Sequence, residues 1–260
     1  MKSEVSGKLI GELRGQVNDL AAAVQLLTPL VAEHGRAPDV GCLANVNKSI
    51  YQLIRTICHM ELCENSDHIF CPHPDDAVKL CRDLCRETEH VAGQLGIEFD
   101  WHADPIGKLH MVDEQLLKLI VFNMLSNAFQ AAGEGGRVQL RCNINDKWLT
   151  VIVSDSGTGL KPPREDENPL LKTDGGMGFG LEAARRAASL HGGKLMLESA
   201  NGVGVSAVLS LPVRKPGKEE LVEQGEGRRM RYDLFGGYSP LLVEFSPQLG
   251  REDYLPENVE

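Results

Sequence analysis

The sequence predicts an α+β fold, with two long amphipathic helices at the N-terminus and then helices and strands in alternation as far as Pro212. Three observations predict it. Apolar residues recur every three or four positions through Leu9, Leu13, Val17, Leu20, Val24, Leu27 and Val31, the spacing of one helix face or a coiled-coil seam. Leu149, Val151 and Val153 alternate with Thr150 and Ile152, the two-residue period of a half-buried strand. The stretch EAARRAASLHGG, entered from the glycine-rich run Gly176 to Leu181, is an alanine-rich helix stopped by Gly192 and Gly193.

In chain order, residues 7–34 form the first helix, and the break from Gly35 to Gly41, which contains Pro38, reverses the chain. Residues 42–64 form a second helix, with Leu43, Val46, Ile50, Leu53, Ile54, Ile57, Met60 and Leu62 as its apolar positions. Two helices this apolar need more cover than one hairpin gives, and a four-helix bundle made by two copies supplies it. Residues 65–75 are a turn-rich connector. Asp75 or Asp76 caps a helix over 76–94 that buries Val78, Leu80, Leu84, Val91 and Leu95, with Cys81 and Cys85 one turn apart on the same buried face. The run IEFDW at 97–101 is a strand and DPIG a turn. Asp113 caps a central helix whose buried side is supplied by Ile120, Met124, Ala128, Phe129 and Ala131, and a hairpin of VQLRCNI and LTVIVSD follows. Beyond Pro212, residues 214–231 have linker composition and YSPLLVEFS has strand character; it adds to a sheet edge, docks on a partner subunit or stays a disordered tail.

Three pieces in this frame carry chemistry. Asn123 and Asn127 stand four apart on the central helix, so both amides leave one face. They are either polar positions on a half-exposed helix or a Mg²⁺ site, with Asn127 as ligand through its neutral oxygen and Asn123 as its support. The turn Asp155-Ser156-Gly157-Thr158-Gly159 ends a strand. Its glycines permit close backbone approach, and its carboxylate can accept a hydrogen bond from an exocyclic amine such as that of adenine. Gly176, Gly178 and Gly180, followed by Leu181, open a helix whose free N–H groups suit a di- or triphosphate. A dinucleotide-binding reading fails, because the spacing is GxGxGL and no strand precedes it.

Each piece is weak alone; their order is specific. NMLSNAFQAA resembles the N box, DSGTGL the first glycine box and GGMGFGL the second glycine box of the ATP-binding domain found in sensor histidine kinases and in the gyrase, Hsp90 and MutL ATPases. The resemblance runs from about residue 8 to 212. It implies a two-layer α/β sandwich of the histidine-kinase-like ATPase type, binding ATP and Mg²⁺ through Asn123, Asn127, Asp155, Gly157, Gly159, Gly176, Gly178, Gly180 and Leu181, with Asn127 on the metal. Lys172, in LLKT, is either a phosphate contact or a solvated loop charge.

The departures from the family bear on activity. The N-terminal hairpin resembles the dimerisation and phosphoacceptor domain of these kinases, where a pattern like HELRNPLAAI begins with the phosphorylated histidine. Aligning Leu20-Ala21-Ala22-Ala23 with the end of that pattern puts Arg14 where the histidine belongs and Gly15 where its acidic neighbour belongs, while Asn18 remains. Arginine cannot be deprotonated in a protein, so it is no nucleophile. His34 and His59 are read as helix-end or dipole partners rather than relocated acceptors. The lid, LKPPREDENPLLKTD, lacks the family's F-box phenylalanine, and Gln130 stands where many relatives have a basic residue. Gyrase-type hydrolysis is unexpected, because those relatives carry a basic glutamate where this chain has Asn123.

A net charge of −10 disfavours bulk nucleic-acid or anionic-membrane binding. The apolar runs are too short for a membrane span, no signal-peptide core is evident, and seven cysteines without a framework suit a reducing compartment, so a cytoplasmic protein is expected. Cys63, His68, Cys71 and His73 match no common zinc spacing. The predicted organisation is a helical-hairpin dimerisation domain over 1–66, an ATP-binding domain over 74–213 and an extension over 214–260. The leading expectation is an ATP/Mg-binding, degenerate kinase-like homodimer that docks a response-regulator-like partner on the face of Asn18 to Leu27 and Ile50 to Met60. The alternatives are an active kinase that phosphorylates a partner protein on serine or histidine, and a non-catalytic dimeric scaffold.

Overall fold

The computed structural model describes residues 2–34, 37–64, 69–105, 107–159, 179–199, 204–217, 232–255 and 258–259. Helices α1 (Lys2–His34) and α2 (Ala37–Glu64) form the N-terminal hairpin. The second helix begins five residues before its expected start, because Pro38 falls in the first turn, where its missing N–H costs nothing. The apolar stripe of α1 divides. Ile10, Val17, Ala21 and Val24 are buried, whereas Leu13, Leu20 and Leu27 stay exposed.

After the hairpin come β1 (His73–Asp76), α3 (Ala77–Gln94), β2 (Glu98–Ala103), β3 (Leu109–Val112), α4 (Glu114–Ala132), β4 (Arg137–Ile144), β5 (Trp148–Asp155), α5 (Phe179–Leu190), β6 (Lys194–Ser199) and β7 (Val205–Pro212). Strand β1 lies inside the expected connector. HPDD has no strand composition, and it is extended because it pairs antiparallel with β3, His73 opposite Val112. The other strands form a mixed sheet in the order β2-β4-β5-β7-β6, parallel only between β2 and β4. Leu149, Val151 and Val153 point into the core as their alternation predicts, and Leu140 lies opposite Val153. Trp148 and Met196 remain exposed, as expected of a sheet covered by helices on one face.

The capping carboxylates do what their positions predict. Asp76 Oδ1 accepts from the N–H groups of Val78 and Lys79 at the start of α3, and Asp113 Oδ1 accepts from Leu116 N–H at the start of α4. Cys81 and Cys85 are buried. Ala131 departs from expectation: it is exposed.

Helix α4 is apolar on nearly every side because it is covered on nearly every side. The sheet lies beneath it, and the C-terminal segment lies above. That segment is a further correction. YSPLLVEFS is no strand; Ser239 caps a short helix, α6 (Pro240–Glu244), accepting from Leu242 N–H, with Pro240 in its first turn. A five-residue apolar run cannot reveal its period, and Ser-Pro is a helix start. The segment continues to a 3₁₀ turn, Arg251–Tyr254, and packs on α2 and α4 of the same chain. Phe245 is fully buried, edge-on to Phe122 and Phe129 at 6.3 and 5.4 Å between centroids.

Candidate nucleotide site

Helix α4 supplies the amides. Asn127 is exposed, and its Nδ2 donates to Asn123 Oδ1 at 2.9 Å. Asn123 is wholly buried. Both ends of the helix are fixed. At the start, Asp113 Oδ2 accepts from Cys71 N–H, while Asp113 N–H donates to His191 Nε2 at 3.0 Å. His191 Nδ1 lies 2.9 Å from Ala187 O and donates to it, so the imidazole ties α4 to the end of α5. Burial lowers the His191 pKa, which keeps the Nε2 lone pair available.

Past the other end of α4, Asp155 closes β5. Its Oδ1 accepts from Gly157 N–H at 2.8 Å and Val205 N–H at 3.3 Å, which fixes the carboxylate at the strand end. Gly157 has no room for a side chain, because a Cβ there would lie 2.5 Å from Ala131 O of α4. Gly159 has φ +78°, a conformation that favours glycine. Gly180, on the first turn of α5, crosses α4 so closely that a Cβ would stand 2.5 Å from Asn123 Nδ2. Leu181 beside it packs half-buried against the core. Gly180 thus meets α4 at Asn123, and the Asp155 turn meets its C-terminal end where Gly157 approaches Ala131 O. Lys172, Gly176, Gly178 and the lid between Gly159 and Gly175 lie outside the described residues, as does His68 of the cysteine-histidine group, in which Cys71 Sγ and His73 Nε2 are 3.4 Å apart.

The partner of Asn123 comes from the C-terminal segment, which sequence reasoning missed. Asn123 Nδ2 donates to Glu244 Oε2 of α6 at 3.3 Å. The same carboxylate takes Arg55 Nε at 3.2 Å and His59 Nε2 at 2.7 Å, both from α2. Ser126 Oγ donates to the Glu244 carbonyl, and Gln248 Nε2 donates to Ser126. Burial alone raises the pKa of Glu244; the charges of His59 and Arg55 and the Asn123 bond outweigh it, and the net shift is downward. The one available signal was a lone acid in the run PLLVEF, since a charge in an apolar stretch needs a partner.

Arg14 has a comparable set of partners. Its Nη1 donates to Leu234 O at 3.0 Å and its Nη2 pairs with Glu61, which also accepts from Tyr232 Oη at 2.8 Å. Burial pushes the nearby Cys58 thiol up to about 12, so it stays protonated and donates to Leu234 O at 3.0 Å.

Residues 112–215 match the model of the histidine kinase-, DNA gyrase B-, and HSP90-like ATPase family. That stretch is an ATPase domain of this family. The fold of the chain, an N-terminal helical hairpin followed by a mixed sheet with helices, matches the histidine-kinase ATPase fold. The chain is 35% identical to histidine protein kinase DivJ of Caulobacter vibrioides over 118 residues, 42% of this chain and 20% of that one. It is 24% identical to sensor histidine kinase SpaK of Bacillus subtilis over 82% of this chain and 48% of that one. The chain therefore spans less than half the length of either relative. Among solved structures, full-length ShkA in complex with AMPPNP superposes with a TM-score of 0.64 at 21% identity, over 82% of this chain and 46% of that one, a likeness of fold. No helix among the described residues is long and apolar enough to cross a membrane.

Proposed function

We propose that this chain binds ATP with Mg²⁺ through its ATPase domain and serves as a degenerate, sensor-histidine-kinase-like signalling protein whose hairpin lacks the phosphoacceptor. The observation that carries the nucleotide reading is the junction of α4 with the Asp155 turn: an exposed Asn127 whose Nδ2 is held by Asn123, a carboxylate fixed at the strand end, and Gly157 pressed on Ala131 O. Asn127 would hold Mg²⁺, Asp155 would accept from the adenine amine, and the first turn of α5 would face the phosphates. Bound ATP supplies a transferable phosphoryl group or, without transfer, the binding energy for a change of shape.

Loss of the acceptor is supported by the partners of Arg14, whose Nη1 and Nη2 tie α1 to the Leu234 carbonyl and to Glu61. A homodimer through the N-terminal helices is supported by Leu13, Leu20, Leu26, Leu27 and Leu53, all exposed on the hairpin. The α2 half of the face expected to dock a response-regulator-like partner is less open, since Ile50, Ile54, Ile57 and His59 are buried. Calorimetric titration with a non-hydrolysable ATP analogue and Mg²⁺ tests the reading. Micromolar binding that disappears in Asn127→Ala and Asp155→Ala is expected; no binding to folded wild-type protein, or binding indifferent to both substitutions, would refute it. Radiolabel transfer from ATP to a partner protein would favour the active-kinase alternative.

A further inference from the structure

The groups that hold Glu244 have a second relation to one another. A Cβ added at Gly180 would meet Asn123 Nδ2 at 2.5 Å, His59 Cε1 at 3.3 Å and Arg55 Nη2 at 3.4 Å. These are the three residues that bind the Glu244 carboxylate. A cation, a histidine and an amide donor thus converge from two helices on the first turn of α5, and a helix N-terminus favours an anion. The anion there now is a side chain of the same protein. It is wholly buried, and its residue is fixed by the Ser126 bond to its carbonyl and by Phe245 packed on Phe122 and Phe129.

We propose that Arg55, His59, Asn123 and the start of α5 form a phosphoryl-group pocket shared between hairpin and ATPase domain, and that Glu244 occupies it as an internal stand-in. The C-terminal segment is then a clasp. With Glu244 seated, the hairpin is tied to the ATPase domain through Arg55 and His59, and Asn123 is withheld from nucleotide. A triphosphate whose terminal phosphate reaches the first turn of α5 competes for the same donors and displaces α6. A carboxylate suits this role because it presents two oxygens and a full negative charge to donors that would otherwise take phosphate oxygens. The inference rests on the nucleotide reading above and adds to it a competitor and a release step.

The test uses the full chain and its Glu244→Gln variant, which keeps side-chain volume and one acceptor oxygen but removes the charge. Each is titrated with Mg-AMPPNP, and amide hydrogen exchange is followed across residues 239–249 with and without the analogue. The clasp predicts about tenfold tighter binding by Glu244→Gln, the scale of a typical coupling between sites. It also predicts faster exchange of 239–249 in wild-type protein once the analogue is bound. A gain that vanishes in Arg55→Gln/Glu244→Gln would place Arg55 on the phosphate. Equal affinity in wild type and Glu244→Gln, with exchange unchanged or slowed by the analogue, would overturn the clasp and leave the nucleotide reading standing. Binding by neither protein, both folded by circular dichroism, would overturn both.

Discussion

Two charged clusters fasten the C-terminal segment to the hairpin, and they differ in how much water they see. At one, Arg14 and Glu61 retain 20% and 13% of their side-chain exposure, and Tyr232 and the carbonyl of Leu234 complete the set. At the other, Glu244 is entirely buried between Arg55, His59 and Asn123. Some solvent reaches the charges at the first, so losing one partner there costs less than at the second. At the second, every donor is bound up with an ion that has no other solvation, and removing one strands a buried charge. The Arg14 cluster ties α1 to Tyr232 and Leu234, whereas the Glu244 cluster meets the first turn of α5 at Gly180. The first therefore acts as a fastening, and the second is where occupancy can change.

Phe245 stands next to Glu244 in sequence and is the hub on which this contrast depends. Phe245→Ala is expected to cost about 3–5 kcal/mol, the range for emptying a buried aromatic site, measured by urea denaturation. If the segment docks as one body, amide exchange will also rise around Tyr232 and Leu234 at the Arg14 cluster. Exchange that rises only near Glu244 would show that the two clusters are independent.

Arg55→Leu comes next. It leaves Glu244 buried with its cationic partner on that side gone, and a loss of roughly 3 kcal/mol is expected. Arg14→Leu is expected to lose less than Arg55→Leu, because Arg14 and Glu61 keep some exposure and Tyr232 still donates to Glu61. A double replacement, Arg55→Leu with Glu244→Leu, should recover most of the first loss, since an apolar pair removes the desolvation cost along with the attraction. Equal losses at Arg14 and Arg55 would erase the distinction between the clusters.

Local chemistry made much of the fold legible. The alternation of Leu149, Val151 and Val153 gave strand β5, Asp76 and Asp113 gave the starts of α3 and α4, and Gly192 gave the end of α5, where its φ is +74°. The candidate site was legible in the same way, because Asn123 and Asn127 share a helix face and Asp155 is within two residues of Gly157. The clasp was hidden for a physical reason. Glu244 meets Asn123, His59 and Arg55 across more than a hundred residues of chain, and no local period reports such a contact. Strand β1 was hidden likewise, since pairing with β3 rather than composition makes HPDD extended. His59, whose place near a helix end suggests a dipole partner, instead meets a carboxylate supplied by another part of the chain.

The smallest expected effect is the dependence of stability on acid, and it isolates the buried cluster. Burial raises the pKa of Glu244, but His59, Arg55 and the Asn123 amide lower it more, so in the folded chain it lies below the ordinary glutamate value. The folded protein then keeps this carboxylate ionised at pH values where the unfolded chain has taken up a proton. Its contribution is fully present above the unfolded pKa and is lost as pH falls through the folded one. Urea midpoints of wild-type and Glu244→Gln protein should therefore lie farthest apart near neutrality and converge below about pH 4.5, because glutamine has no proton to gain there. The difference between the two curves removes the other carboxylates, which titrate alike in both. A separation that stays constant, or widens, as the pH drops would mean that Glu244 is held as the neutral acid. A neutral acid would not act as the phosphate stand-in on which the clasp depends.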